Sequence, residues 1–162
     1  MFLKKRVVKL LSGVEAFQGL NEEELEPFAR ACRKVAVREG ETLVEEGDPA
    51  PGFHVVAEGT FRVFLPETIK GRKEHRISEV KLNRLREGDC FGEYSLMDRR
   101  PASASVRAAS QGEVVQITEE DFLRILEGND RIGRIVYRNL LRVLVRRLRK
   151  REKEYDLVIV PG

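Results

Sequence analysis

The chain has 162 residues, of which 41% are hydrophobic and 35% charged, with a formal net charge of +3. That length supports one domain with a real core, and no apolar run approaches a membrane span. Two cysteines without CxxC or Cys/His spacing, two histidines without an HxH pair, and no GxSxG, P-loop or HExxH pattern argue against a zinc site, a metal-dependent cupin and the common hydrolases.

No catalytic residue, metal or cofactor is therefore assigned. Cys32 and Cys90 are expected to be reduced thiols in a cytoplasmic protein. The start, Met1-Phe2-Leu3-Lys4-Lys5-Arg6, lacks a small-residue cleavage site and does not read as a signal peptide. The charge is unevenly spread. Residues 1–130 hold 20 basic and 24 acidic side chains, while residues 131–162 hold 10 and 3. A mildly acidic body thus carries a strongly basic tail.

In chain order, residues 2–11 and 22–33 are predicted helices. Asn21 before Glu22-Glu23-Glu24 is a capping signal with acids in the first turn. Leu25, Phe28, Ala29 and Cys32 recur at helical spacing. From 34 to 118 the period changes to two. Strands are predicted at 35–38, 42–45, 53–57, 61–65, 75–86, 90–91, 103–109 and 113–117. Gly40-Glu41, Gly47-Asp48, Gly59-Thr60, Gly88-Asp89 and Gly112-Glu113 supply the turns between them. Short strands with regular turns indicate a β-sandwich or barrel, and a jelly roll fits the count. His54 and His75 are expected to be surface or half-buried strand residues. The polar stretch 66–76 reads as a hairpin tip.

Residues 90–108 read as a strand end (Cys90, Phe91), a glycine, a helical turn from Glu93 to Met97, a polar break, and a further strand. Gly92 permits a sharp turn. The free N–H groups of the turn that follows attract an anion, and Glu93 is also favoured there. One carboxylate beside a row of amides suits a ligand with both hydroxyls and a phosphate.

Thr118-Glu119-Glu120-Asp121 starts a helix, and Gly128-Asn129-Asp130 separates it from a long helix over 130–154. Ile132, Ile135, Val136, Leu140, Val143, Leu144 and Leu148, with Leu141 and Val145 beside them, make an apolar stripe wider than one buried face requires. Arg131, Arg134, Arg138, Arg142, Arg146, Arg147, Arg149, Lys150, Arg151 and Lys153 crowd the same helix. Their plain reading is a solvated cationic face, with weak, non-specific retention of nucleic acid and no specific DNA binding.

The run Phe91-Gly92-Glu93, Ser95-Leu96, Pro101 and Ser103-Ala104-Ser105-Val106-Arg107-Ala108 resembles the phosphate-binding cassette of the cyclic-nucleotide-binding domain family. That family includes the sensor domains of catabolite activator protein and protein kinase A regulatory subunits. Phe17-Gln18-Gly19-Leu20 and the glycine spacing extend the resemblance over about residues 10–150.

The resemblance implies a mainly β fold with flanking helices: a double-stranded β-helix (jelly roll), N-terminal helices and a long C-terminal helix. It divides the single domain into N-terminal helices 1–33, a β-roll 34–118 with its cassette at 91–107, C-terminal helices 119–154 and a tail 155–162. It implies a regulatory sensor module that binds a cyclic mononucleotide (cAMP or cGMP), or a related small anionic ligand, and relays this through the C-terminal helix. The alternative is a degenerate domain that binds no nucleotide and serves as an interaction module.

The ligand residues implied are Phe91, Gly92, Glu93, Tyr94, Ser95, Leu96, Ala102, Ser103 and Ala104, with Glu93 taking the ribose 2′-hydroxyl. The family's phosphate-binding arginine falls at Ala102, so Arg100 is the candidate compensating cation. Residues 149–152 would lie over the purine. The helix 130–154 would form a homodimer. Transcription factors of the family continue into a helix-turn-helix domain, and none is expected in this chain. Apart from the resemblance, the apolar run 157–160 is expected either to dock on the roll or a partner as an added strand or to fray.

Overall fold

The computed structural model describes residues 2–156. α1 (Phe2–Ser12) leads through a 3-10 turn (Glu15–Phe17) to α2 (Glu22–Ala31). The Asn21 side chain accepts from Glu24 N–H, and the Glu24 carboxylate accepts from Asn21 N–H, which fixes where α2 begins. Eight strands follow: β1 (Arg33–Val37), β2 (Thr42–Val44), β3 (Phe53–Glu58), β4 (Phe61–Leu65), β5 (Val80–Leu85), β6 (Cys90–Phe91), β7 (Ser105–Ala108) and β8 (Gly112–Ile117). α3 (Glu93–Asp98) interrupts them between β6 and β7. α4 (Glu119–Glu127), capped by the Thr118 hydroxyl, and α5 (Asp130–Asp156) complete the described chain.

All strand pairs are antiparallel and form two four-stranded sheets, β1-β8-β3-β6 and β2-β7-β4-β5. Neighbours distant in sequence, such as β3 beside β8, give the crossed connections of the expected jelly roll. One apolar cluster lies between the sheets and includes Val44, Val56, Phe61, Leu85, Phe91, Ala102, Val106 and Val114. A second joins the helices to the first sheet. At its centre the Phe17, Phe28, Phe53 and Phe122 rings pack with centroids 4.8–6.3 Å apart. Each ring buries a large apolar area, and tilted or edge contacts suit the aromatic quadrupoles.

Several predicted boundaries move for local reasons. The strand expected over 75–86 narrows to β5, and His75 keeps only an isolated bridge to Thr68. Here Arg76 turns aside to donate from Nη1 and Nη2 to the two Glu46 carboxylate oxygens, at 2.8 and 2.9 Å. The strand expected from 103 starts at Ser105. A loop holds the preceding backbone instead: Ala102 N–H donates to Asp48 O and Gly47 N–H to Ala102 O, both at 2.8 Å. α2 stops at Ala31, where the chain enters β1. α5 continues two residues past its expected end. The apolar run 157–160 lies outside the described residues.

Candidate functional site

β6 and α3 build the site. His54 of β3 pairs with Phe91 of β6, and their rings stack at 4.6 Å with planes 5° apart. Gly92 follows at φ +88°. A Cβ there would sit 2.0 Å from the Gly52 carbonyl oxygen, so both the close approach and the left-handed backbone require glycine. This turn drives the next side chain, Glu93, into the protein, where it is 2% exposed.

Arg147 of α5 reaches this carboxylate. Its guanidinium pairs with Glu93 Oε1, and its Nη2 donates to the Cys90 carbonyl at 3.1 Å. Glu93 Oε2 has no hydrogen-bond partner. Among the described residues it shares that condition with one other buried side-chain atom, His54 Nδ1. That nitrogen faces the Gly52 carbonyl without closing a hydrogen bond of normal geometry. Buried polar atoms are rarely left unpaired, because each forfeits its hydration. The open oxygen of Glu93 is thus an acceptor ready for a hydroxyl or an N–H donor.

Titration follows from burial. Desolvation pushes the His54 imidazole down to about 4, against a smaller opposing effect of the Gly52 carbonyl, so the ring is neutral near pH 7. Burial likewise pushes the Cys90 thiol up to about 11, partly opposed by the Arg147 charge. Cys90 is therefore a protonated, inert packing residue. Cys32 is raised to about 12 by the same desolvation.

The residues expected at the site divide into groups. Phe91, Glu93, Ser95, Leu96 and Ala102 are buried, and Phe91 and Ala102 share the cluster between the sheets. Gly92 and Ala104 are half-buried, whereas Tyr94 and Ser103 are exposed. Ser105 is also buried, and its hydroxyl accepts from Glu46 N–H at 2.8 Å. Arg100 is exposed, and its guanidinium makes no hydrogen bond or ion pair among the described residues; only its backbone N–H bonds, to Asp98. Of the stretch 149–152, all four residues are exposed.

Two residues escaped the sequence reading. Arg147 was grouped with a solvated cationic face, yet its side chain is 31% exposed and enters the site. The signal was its spacing: Val136, Leu140 and Val143 are buried, and 147 continues that row. His54 was expected on the surface or half-buried and is 1% exposed. Its neighbours Phe53, Val55 and Val56 mark a strand covered on both faces, which leaves no solvent side for an imidazole.

Comparison with known proteins agrees with this fold. The model of the family "Cyclic nucleotide-binding domain" matches residues 34–129. The cyclic AMP receptor protein of Thermus thermophilus is 30% identical over 148 residues, covering 91% of this chain and 63% of that protein. A cAMP-dependent protein kinase regulatory subunit of Dictyostelium discoideum is 30% identical over 125 residues, covering 76% of this chain and 37% of the relative. The chain therefore spans less than two thirds of the length of these relatives. Among solved structures, the Thermus thermophilus catabolite activator protein superposes with a TM-score of 0.71 at 30% identity, covering 89% of this chain and 62% of that one. A cyclic nucleotide-binding domain from Methylobacillus flagellatus gives 0.77 at 18% identity, covering 98% and 85%, and speaks to the fold alone. With the family model spanning more than half its length, the buried Glu93 beside Gly92, and a two-sheet roll closed by a long helix, this chain belongs to the cyclic nucleotide-binding domain family.

Proposed function

We propose that this chain is a regulatory sensor module. It takes a cyclic mononucleotide, cAMP or cGMP, or a related small anionic ligand against Gly92–Leu96 and Ala102–Ala104, and relays occupancy through α5. The observation that carries the proposal is the Glu93 carboxylate, 2% exposed, with one oxygen paired to Arg147 and the other unpartnered. A sugar hydroxyl donating to Oε2 would complete it, with the phosphate toward the first N–H groups of α3. Because Arg147 stands on α5, a ligand that alters Glu93 favours one placement of that helix over another. Relatives named for cAMP support the ligand class.

α5 is also the proposed homodimer contact. Tyr137, Leu141, Val145, Leu148 and Tyr155 are 38–70% exposed along it. A row of large apolar side chains at three- and four-residue spacing gains by pairing with a second copy. The module is proposed to act in the cytoplasm without catalysis, cofactor or metal. Specific DNA binding is not part of the proposal. No helix among the described residues is long and apolar enough to cross a membrane.

A second reading, an interaction module that has lost its nucleotide, is favoured by one observation. Ala102 stands where the family has arginine, is 7% exposed and fills an apolar cluster. Loss of one charged partner from such a site costs about 2–5 kcal/mol, roughly 30-fold to several thousand-fold in affinity. Titration calorimetry with cAMP and cGMP, on the wild type and on Ala102→Arg, separates the readings. The sensor reading expects saturable binding that tightens at least about 30-fold in the variant. Heat at the dilution level in both proteins, with Ala102→Arg still folded, would leave only the interaction module.

A further inference from the structure

We infer that the outer face of the second sheet carries an anion site for a compact oligophosphate, separate from the cassette. Arg62 of β4 lies directly opposite Arg84 of β5 on one side and Arg107 of β7 on the other. Directly opposite residues share a face, with Cβ atoms roughly 4.5–5.5 Å apart. Three guanidinium-bearing residues thus form one cross-strand row about 10 Å long. The flanking row, Leu85–Phe61–Ala108, is buried between the sheets, so strict alternation puts the arginines outside.

Such a row works against the fold. Like charges directly opposite destabilise a strand pair, and this sheet stacks two such pairs. The cations elsewhere are often matched, as in Lys34–Glu113, Arg76–Glu46 and Arg131–Glu24. Arg62 and Arg84 make no ion pair among the described residues, and Arg107 meets only Glu79, at 3.4 Å, in an exposed contact. The Arg107 guanidinium is also held over the Phe64 ring, 4.2 Å from its centroid, which restricts its rotation. Arg62 and Arg107 line a shallow cavity of about 230 Å³ with Gly40, Ala108 and Ala109.

The shape of the charge selects the ligand. Glu79 meets Arg107, and Glu39 lines the cavity beside Arg62 and Arg107, so acidic groups flank the row. The positive field is therefore a compact patch and not a track, which disfavours an extended nucleic acid. Planar guanidinium forks at one strand spacing suit linked phosphates, each of which accepts paired N–H donors. An inorganic oligophosphate and the chain of a nucleoside triphosphate share that chemistry.

The test titrates the full chain with inorganic tripolyphosphate, ATP and orthophosphate at about 0.15 M salt, where weak surface attraction is screened. It compares the wild type, R62Q/R84Q, R84Q alone and the α5 variant R142Q. Saturable one-to-one binding of tripolyphosphate is expected, weaker for orthophosphate and reduced at least about tenfold in R62Q/R84Q. Equal affinity for ATP would show that the phosphates alone are read, and tighter ATP binding would show that the base adds contacts. R142Q should bind as the wild type does. Relief of like-charge repulsion should leave the melting temperature of R62Q/R84Q unchanged or higher, so lost binding is not lost folding; R84Q, on the edge strand, gives the same answer with less perturbation. Cyclic mononucleotide titrations should be identical in wild type and R62Q/R84Q, which keeps this site's failure distinct from the cassette's. No saturable tripolyphosphate binding, unchanged binding in R62Q/R84Q, or loss in R142Q would overturn the inference.

Discussion

Arg147 of α5 closes on one oxygen of Glu93 and leaves the other without a partner, so the cassette turn and the long helix share a single buried carboxylate. The same guanidinium also ties down the Cys90 carbonyl. The two elements therefore cannot shift independently without separating a charge pair.

Arg147→Ala should strand the Glu93 charge in the interior. Removing one partner of a buried pair is costly, and the partial exposure of Arg147 lowers that cost, so a loss of roughly 1–3 kcal/mol is expected. Urea unfolding would measure it. The Arg147→Met/Glu93→Gln double variant should recover much of the loss, because neither charge is then left alone. An additive double variant would mean that the pair is not coupled.

Gly92→Ala combines a left-handed backbone at φ +88° with a Cβ 2.0 Å from the Gly52 oxygen. The contact is with backbone, so β3 and β6 must move apart. A loss of about 3 kcal/mol or more is expected in thermal unfolding. Gly88→Ala also has a positive φ but nothing within 4 Å of the added atom, and should cost much less.

His54 makes stability depend on pH. Its folded-state value lies near 4, below the ordinary 6.5 that it regains on unfolding. The unfolded chain therefore binds the proton more readily, and stability falls as pH drops from about 6.5 toward 4. The full effect is up to about 3 kcal/mol. Denaturant midpoints measured between pH 7 and 4 should show this slope, and His54→Phe should flatten it. A slope unchanged in the variant would assign the acid sensitivity to carboxylates.

The α5 proposal predicts that Leu141→Glu/Leu148→Glu converts a dimer into a folded monomer. These side chains are 62% and 59% exposed, so neither substitution disturbs the monomer's core. Sedimentation velocity at micromolar concentration would read the change. A wild type that sediments as a monomer would remove the dimer.

Much of the architecture could be read directly. The switch from helical to alternating periodicity near residue 34 and the return to helix after Thr118 located the roll. The turn glycines separated its strands, because a positive φ leaves a local mark. Strand ends were less legible where a side chain or loop from elsewhere intervened, as Arg76 on Glu46 cut short β5 and loop 47–48 delayed β7. At the site, the run from Phe91 to Leu96 was visible as a motif. Ser103 follows the position of the family's arginine in the motif, whereas the burial of Ser105 depends on the distant Glu46 backbone that it bonds.

Residues 91–96 alone determined that the chain turns sharply at Gly92 and offers a carboxylate beside free N–H groups, since these follow from nearest-neighbour backbone geometry. Only the tertiary structure decided that Glu93 is buried, that Arg147 some fifty residues away supplies its countercharge, and that three arginines from separate strands form one row. Charge pairing and strand register depend on which distant segments the core brings together, and that juxtaposition has no local signature in the chain.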